Sequence, residues 1–95
     1  MKSKMIEELF KLAMKVIEET EDFVNFEVGN HGFLCHIEIM EGGFKEGKEY
    51  DGWYDFVSGD EELEEEMRME EFPKAKEHLE KLISRARNKR LEVAV

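Results

Sequence analysis

Apolar residues recur at intervals of three and four positions over residues 3–19 and again over residues 72–86. That spacing places them on one side of a helix, with charged residues on the other side. Pro73 breaks the preceding segment and suits the first turn of a new helix. The pattern therefore predicts two amphipathic helices, over residues 3–19 and 73–89.

A period of two replaces the helical period over residues 23–28, 33–40 and 49–57, and predicts three strands. Residues 29–32 contain two glycines and an asparagine, which is turn chemistry. The first two strands are therefore expected to form an antiparallel hairpin.

The third predicted strand is rich in aromatic residues, and its two faces differ in chemistry. Tyr54 lies on the face expected to meet the helices, while Trp53 and Asp55 lie on the opposite face. Gly52 leaves this register open, because a glycine in a strand can mark a bulge that reverses the later residues. Trp53 is consequently a candidate for either the core or an interface.

The remaining segments complete the predicted architecture. A capping box, Ser58 with Glu61, predicts a short acidic helix over residues 60–70. Residues 91–95 alternate and fit either a short edge strand or a frayed tail. The expected order is α-β-β-β-α-α: an α+β two-layer sandwich in which helices pack on a three-stranded antiparallel sheet, as a single domain over residues 1–95.

The predicted core collects the apolar positions that face one another in this arrangement. They are Ile6, Leu9, Ala13, Val16, Val24, Phe26, Ile37, Ile39, Phe56, Leu79, Leu82 and Ile83.

Charge is distributed unevenly along the 95 residues, whose net charge is −10. Residues 1–17 carry a net charge of +2, residues 18–71 carry −16, and residues 72–95 carry +4. An acidic body of this kind is repelled by phosphate backbones and anionic lipids, so we expect no direct binding to nucleic acid or membranes. No long apolar run or signal peptide is present, which predicts a cytoplasmic protein.

The residue types that carry catalysis or bind cofactors lack the necessary spacing. The single Cys excludes an internal disulfide, and Cys35 and His36 point to opposite faces of a strand. No two of the three histidines have metal-ligand spacing. Residues 51–62 match the length of a calcium loop, but Phe56 stands where that loop requires glycine. We therefore expect no enzyme activity, no metal and no cofactor.

Acidic residues cover most of the circumference of the predicted helix over residues 60–70, close to the aromatic strand. One interpretation is a solvated helix that keeps the protein soluble. The other is a row of carboxylates that imitates phosphates and occupies the basic groove of a nucleic-acid-binding protein. The second interpretation predicts these partner-binding residues: Glu49, Asp51, Trp53, Asp55, Asp60, Glu61, Glu62, Glu64, Glu65 and Glu66.

In size, acidity, element order and the acidic segment from Glu46 to Glu71, the chain resembles the small inhibitors that phages make against CRISPR nucleases. The resemblance lies in layout and charge, without a shared motif. It implies an anti-CRISPR-like DNA mimic that presents acids to the nuclease surface that reads the PAM, in the cytoplasm of the host cell.

Three alternatives remain beside this hypothesis. An immunity or antitoxin protein that neutralises a basic toxin uses the same physics. A small housekeeping domain needs its acidity only for solubility. An enzyme or small-ligand sensor would have its pocket between sheet and helices near His36. The oligomeric state is left open.

Overall fold

The computed structural model describes residues 2–29, 35–56, 65 and 67–94. Its elements are α1 (Lys2–Glu19), β1 (Phe23–Val28), β2 (Cys35–Met40), β3 (Gly52–Phe56), a π-helical turn (Met67–Glu71) and α2 (Phe72–Ala94). A helix, three antiparallel strands and a C-terminal helix confirm the predicted α+β fold. The acidic helix predicted over residues 60–70 falls mostly outside the described residues.

The sheet has the order β1-β2-β3, and both neighbouring pairs are antiparallel. β2 is the central strand, where Ile37 lies opposite Phe26 on one side and Tyr54 on the other. These residues belong to the face that packs on the helices, because side chains alternate along each strand. The predicted hairpin of the first two strands is confirmed.

Pairing between β2 and β3 is continuous, with Ile39 opposite Gly52 and Cys35 opposite Phe56. Gly52 therefore marks no bulge, and Trp53 and Asp55 project from the face away from the helices. The strand begins at Gly52 rather than at residue 49. The preceding Asp51 turns its carboxylate to accept the backbone N–H of Glu41 at 2.7 Å, which closes the loop between β2 and β3.

The core lies between the inner face of the sheet and the two helices, as the periodicity predicted. Ile6 and Phe26 are only partly buried, and the other predicted core residues are buried. Cys35, Met40 and Ala75 add to this buried set. Thr20 ends α1: its backbone N–H and hydroxyl both donate to the carbonyl of Val16, at 3.0 and 2.8 Å.

The C-terminal segment differs from the expectation. α2 continues to Ala94. Residues 91–94 are therefore helical, and form neither the edge strand nor the frayed tail that the sequence predicted for residues 91–95. Just before this extension, Arg87 and Arg90 both pair with Glu19 at the end of α1, at 3.1 and 3.3 Å. The π-helical turn Met67–Glu71 runs directly into α2, so Pro73, at the second position of α2, does not break the helical segment as predicted, although its missing N–H cannot donate to the preceding turn.

Candidate functional site

The face of the sheet away from the helices, which we call the open face, brings together a histidine, two acids and a tryptophan. His36 of β2 pairs directly with Asp55 of β3, and Glu38 pairs with Trp53. Directly opposed residues of an antiparallel pair have Cβ atoms about 5 Å apart and their side chains interact. Four residues that are distant in the sequence thus form one cluster.

His36 lies between two carboxylates. Its Nδ1 is 2.5 Å from Asp55 Oδ1, and its Nε2 is 2.8 Å from Glu38 Oε1. A neutral imidazole has only one N–H to donate, so both contacts are hydrogen bonds only when the ring carries two protons. Burial lowers the pKa of His36, but the hydrogen bonds and charges of Glu38 and Asp55 outweigh it and raise the pKa above its usual value.

Trp53 lies at the centre of this surface, and 54% of it is exposed. Its indole Nε1 donates to Asp55 Oδ2 at 2.8 Å, and its ring packs against His36 with centroids 4.5 Å apart. Asp55 therefore holds the histidine with one oxygen and the tryptophan with the other. These contacts fix the orientation of an exposed aromatic ring that the core does not use.

Tyr50 extends the aromatic surface from the loop before β3. Its ring lies 5.4 Å from that of Trp53, inclined by 62°. Its pKa is raised by partial desolvation and then by the charge of Glu38 and a hydrogen bond with it, so the phenol stays neutral. We name the set His36, Glu38, Tyr50, Trp53 and Asp55 the Trp53 surface.

The Trp53 surface has the chemistry of a cation-binding site. Two carboxylates and one imidazolium give it a net negative charge, and two inclined aromatic rings are exposed beside them. A guanidinium or ammonium group gains both from the ring faces and from carboxylate oxygens. The three strands contain no lysine or arginine, and Glu27 of β1, which pairs with His36 in the sheet, adds a further exposed acid to the same face.

A second polar cluster lies on the helix side of the sheet. Tyr54 Oη is 2.8 Å from His78 Nδ1, and His78 Nε2 is 3.0 Å from Glu41 Oε2. Arg85 donates to the other oxygen of Glu41 at 2.8 Å. A carboxylate can only accept, so Nε2–H of His78 donates to Glu41. His78 thus joins α2 to β3 and to the loop that follows β2.

This second cluster resembles a nucleophile–base–acid chain in order but not in electrostatics. Burial, and then the charges of Glu71, Glu41 and Glu77, raise the pKa of Tyr54, whereas an activated nucleophile needs a lowered one. The Arg85 hydrogen bond lowers the pKa of Glu41 and keeps it ionised. The cluster acts as a structural clamp between the sheet and α2.

Burial raises the pKa of Cys35 to about 12, which leaves its thiol unreactive.

A cleft of about 660 Å³ separates the end of α1 from α2. Acids of α1, Glu18 and Glu19, line one wall, and Arg85 and Arg90 line the other. Glu19 and Arg90 already pair with each other at 3.3 Å. Opposite charges that neutralise one another across the cleft offer no defined charge to a ligand, so the Trp53 surface is the stronger candidate.

The predicted partner-binding residues fall into three groups. Trp53 and Asp55 belong to the Trp53 surface. Asp51 caps the loop and pairs with Lys48 at 3.4 Å, Glu49 is exposed in the same loop, and Glu65 is exposed in a helical position. The last group lies outside the described residues: Asp60, Glu61, Glu62, Glu64 and Glu66.

The sequence analysis did not single out Glu38, and it placed His36 near a pocket between sheet and helices, whereas His36 lies on the open face beside Asp55. Both follow from register. Once β3 pairs without a bulge, His36 must meet Asp55, and Glu38 must meet Trp53. The usable signal was alternation, which had already placed His36 and Glu38 on one face of β2.

The residues that the structure describes contain no group of three or more His, Cys, Asp or Glu side chains placed to hold a metal ion. Within residues 2–29, 35–56, 65 and 67–94, no helix has both the length and the apolar character to span a membrane.

Comparison with known proteins identifies no relative: no family model matches the chain, and no curated protein or solved structure is significantly similar to it.

Proposed function

We propose that this chain is a binding protein that attaches through its acidic open face to a basic surface of a nucleic-acid-binding protein, such as a nuclease, and thereby excludes nucleic acid from that surface. It acts in the cytoplasm of the cell that makes it, or of the host cell if a phage encodes it. It needs no cofactor and catalyses no reaction in this role.

The single observation that carries the proposal is the exposed Trp53, held by Asp55 and surrounded by carboxylates. An acidic patch alone is explained by solvation, and single exposed apolar residues are normal on protein surfaces, so neither feature by itself indicates a binding site. Here an aromatic ring is oriented by a hydrogen bond in the middle of an acidic face, and it contributes nothing to the core. Tryptophan, tyrosine and arginine are the residues most enriched in the energetic centres of protein interfaces.

The chemistry of the Trp53 surface selects the partner class. An arginine side chain of the partner that stacks on Trp53 can donate hydrogen bonds from its guanidinium group to Asp55 or Glu38. Proteins that bind nucleic acid display many such arginines and lysines, arranged to neutralise phosphates. The −16 charge of residues 18–71 supplies the long-range attraction that brings such a partner to this face.

A direct test uses the fluorescence of Trp53, which is the only tryptophan in the chain. Titration with an arginine-rich peptide should change the emission, and the change should weaken between about 0.1 and 0.5 M salt, as the Debye length shortens. An uncharged peptide of equal length is the control. An arginine-rich peptide that leaves the emission unchanged at low salt contradicts the proposed surface.

A matched pair of charge reversals locates the interface on the partner protein. The wild-type chain first captures its partner from a lysate at low salt; mass spectrometry must identify a nucleic-acid-binding protein, and nucleic acid must compete for it. Glu27→Lys reverses an exposed acid on the open face, whereas Glu80→Lys makes the same charge change on α2. We expect Glu27→Lys and Trp53→Ala to weaken binding at least about tenfold, and Glu80→Lys to have little effect.

A further reversal separates the Trp53 surface from the acidic segment beyond it. If Glu62→Lys/Glu65→Lys abolishes binding while Trp53→Ala does not, the contact lies outside the Trp53 surface. If Glu62→Lys/Glu65→Lys and Trp53→Ala both abolish binding, the partner contacts the Trp53 surface and the acidic segment together. Retention of binding by all of these variants refutes the proposal.

A further inference from the structure

α1 has two apolar sides, and the core uses only one of them. Leu9, Ala13 and Val16 are buried against the sheet and α2. Phe10, Met14 and Ile17 form a second stripe with spacings of four and three residues, and are 48%, 38% and 50% exposed. A surface helix normally has one apolar stripe opposite a polar face. The second stripe therefore needs another explanation than packing within the chain.

The second stripe lies on the flank of α1 away from α2. Glu8 pairs with Lys76 at 2.8 Å and Glu19 pairs with Arg87, which identifies the flank that faces α2. On the other flank, Phe10 packs edge-on against Phe26 of β1, with ring centroids 5.6 Å apart.

β1 lies at one edge of the described sheet, and its last residue, Val28, is 59% exposed on the same side as Phe26. The apolar surface therefore continues from helix to strand. We name it the α1 flank: Phe10, Met14, Ile17, Phe26 and Val28.

The charges that border this stripe complement a second copy of the same helix. Lys11 comes directly after Phe10, and Glu18 comes directly after Ile17. Both charged residues border the stripe on its solvent side, and they are seven residues apart. Positions that border an apolar helix seam set the orientation of pairing through their charges. In an antiparallel pair with Met14 of one helix against Ile17 of the other, Lys11 lies opposite Glu18. Twofold symmetry repeats this pair, whereas in a parallel pair the two borders that carry Lys11 and Glu18 lie on opposite sides of the seam and do not meet.

We propose that the α1 flank is an interface at which a second copy of this chain binds, with the two α1 helices antiparallel about a twofold axis. The interface is isologous, since the same residues of both copies form it. It lies on the helix side of the sheet, so the Trp53 surface stays exposed in the dimer, and the proposal does not depend on the proposed function. A dimer presents two Trp53 surfaces at once.

An interface of a few side chains binds weakly and has a large dissociation constant. Analytical ultracentrifugation should therefore measure the mass of the protein over a wide range of concentrations, from about 1 to 500 μM. We expect the mass to rise with concentration toward twice the 11.2 kDa of one chain. Met14→Glu places two carboxylates at the centre of the pair and should keep the protein monomeric throughout this range. A melting curve for each variant shows that it still folds.

A charge exchange tests the identity of the occupant. Lys11→Glu should raise the dissociation constant at least about fivefold through repulsion from Glu18, and Lys11→Glu/Glu18→Lys should restore the dimer. Lys15→Glu is the matched control, because it makes the same charge change further from the stripe and should leave the mass curve unchanged. Restoration by the exchange requires that two copies of this chain meet.

Two results overturn the proposal. One is a mass that stays at 11.2 kDa up to the highest concentration, which leaves the α1 flank for a different protein. The other is a dimer that Met14→Glu does not weaken, or that the charge exchange does not restore. Fluorescence titration of Met14→Glu with the arginine-rich peptide tests the proposed function separately, and should match the wild type.

Discussion

Gly52→Ala adds one methyl group at the most crowded point between the sheet and α2. A Cβ built on Gly52 lies 2.8 Å from both Cε1 and Nδ1 of His78 and 2.9 Å from Cε2 of Tyr54. Real Cβ atoms do not approach other heavy atoms this closely. The His78 ring cannot turn aside freely, because Tyr54 and Glu41 hold its two nitrogens at 2.8 and 3.0 Å.

The expected cost combines three effects. Inserting a methylene-sized group into a packed interior costs about 1–3 kcal/mol. If the ring moves, each hydrogen bond of His78 that is lost costs a further ~0.5–1.5 kcal/mol. Alanine in a strand is better than glycine by about 0.5–1 kcal/mol, which offsets part of this. We expect a net loss of about 2 kcal/mol in the free energy of unfolding, equivalent to a fall in Tm of about 8–16 °C.

Urea unfolding followed by circular dichroism measures this change, and His78→Ala provides the control background. Without the imidazole ring, Cε2 of Tyr54 is the one remaining close contact of the added Cβ, and Tyr54 loses the hydrogen bond to His78 that holds its ring in place, so the ring can move aside. Gly52→Ala should then be neutral or stabilise by up to about 1 kcal/mol. A cost below about 0.5 kcal/mol in the wild type, or equal costs in both backgrounds, refutes the reasoning.

Three further predictions concern single side chains. Leu79→Ala, at a fully buried position, should destabilise by about 2–5 kcal/mol in urea unfolding; a cost well under about 1 kcal/mol would contradict the packing of α2. The pKa of His36 is raised in the folded state, so its charged form stabilises the fold. Its contribution is complete below the unfolded pKa of about 6.5 and is lost as pH rises through the folded pKa. The stability difference between wild type and His36→Gln should therefore shrink as the pH rises above about 6.5; a difference that grows with rising pH is the opposing result. The Cys35 thiol, whose pKa is about 12 and whose residue is 0% exposed, should react with iodoacetamide at pH near 8 only after unfolding, and rapid labelling of the native protein would contradict its burial.

Periodicity was enough to predict most of the fold. β1 occupies the predicted residues 23–28, because a clean alternation of apolar and polar residues leaves a half-buried strand as the only pattern that fits. α1 likewise matches its stripe within one residue at its start. Both patterns are local, so the sequence contains all the information that they need.

The end of α2 shows where local patterns fail. Leu91, Val93 and Val95 alternate as in a strand, yet the helix continues to Ala94. The contacts of α2 near this end are long-range: Arg87 and Arg90 pair with Glu19, and these pairs span 68 and 71 residues of the chain. A contact of that range is invisible to a window of a few residues.

The candidate site was half predictable for the same reason. Trp53 and Asp55 attracted attention through their chemistry, but their partners depend on the length and closure of the loop between β2 and β3. Asp51 accepts the Glu41 N–H, and its own N–H donates to the carbonyl of Ile39, at the end of the pairing that brings His36 to Asp55. These contacts join residues ten and twelve positions apart, beyond the reach of a local pattern of apolar and polar residues.

The position of β3 has a consequence for solubility at high concentration. β3 pairs with β2 on one side, and no strand among the described residues pairs with its other edge. An uncovered strand edge can pair with a strand from another molecule. Asp51 and Asp55 flank this edge, and the hydrogen bond from the Glu41 N–H lowers the pKa of Asp51, so this carboxylate remains charged in mildly acidic solution. Negative charge near this edge therefore opposes the edge-to-edge pairing of two copies, while the open face stays accessible.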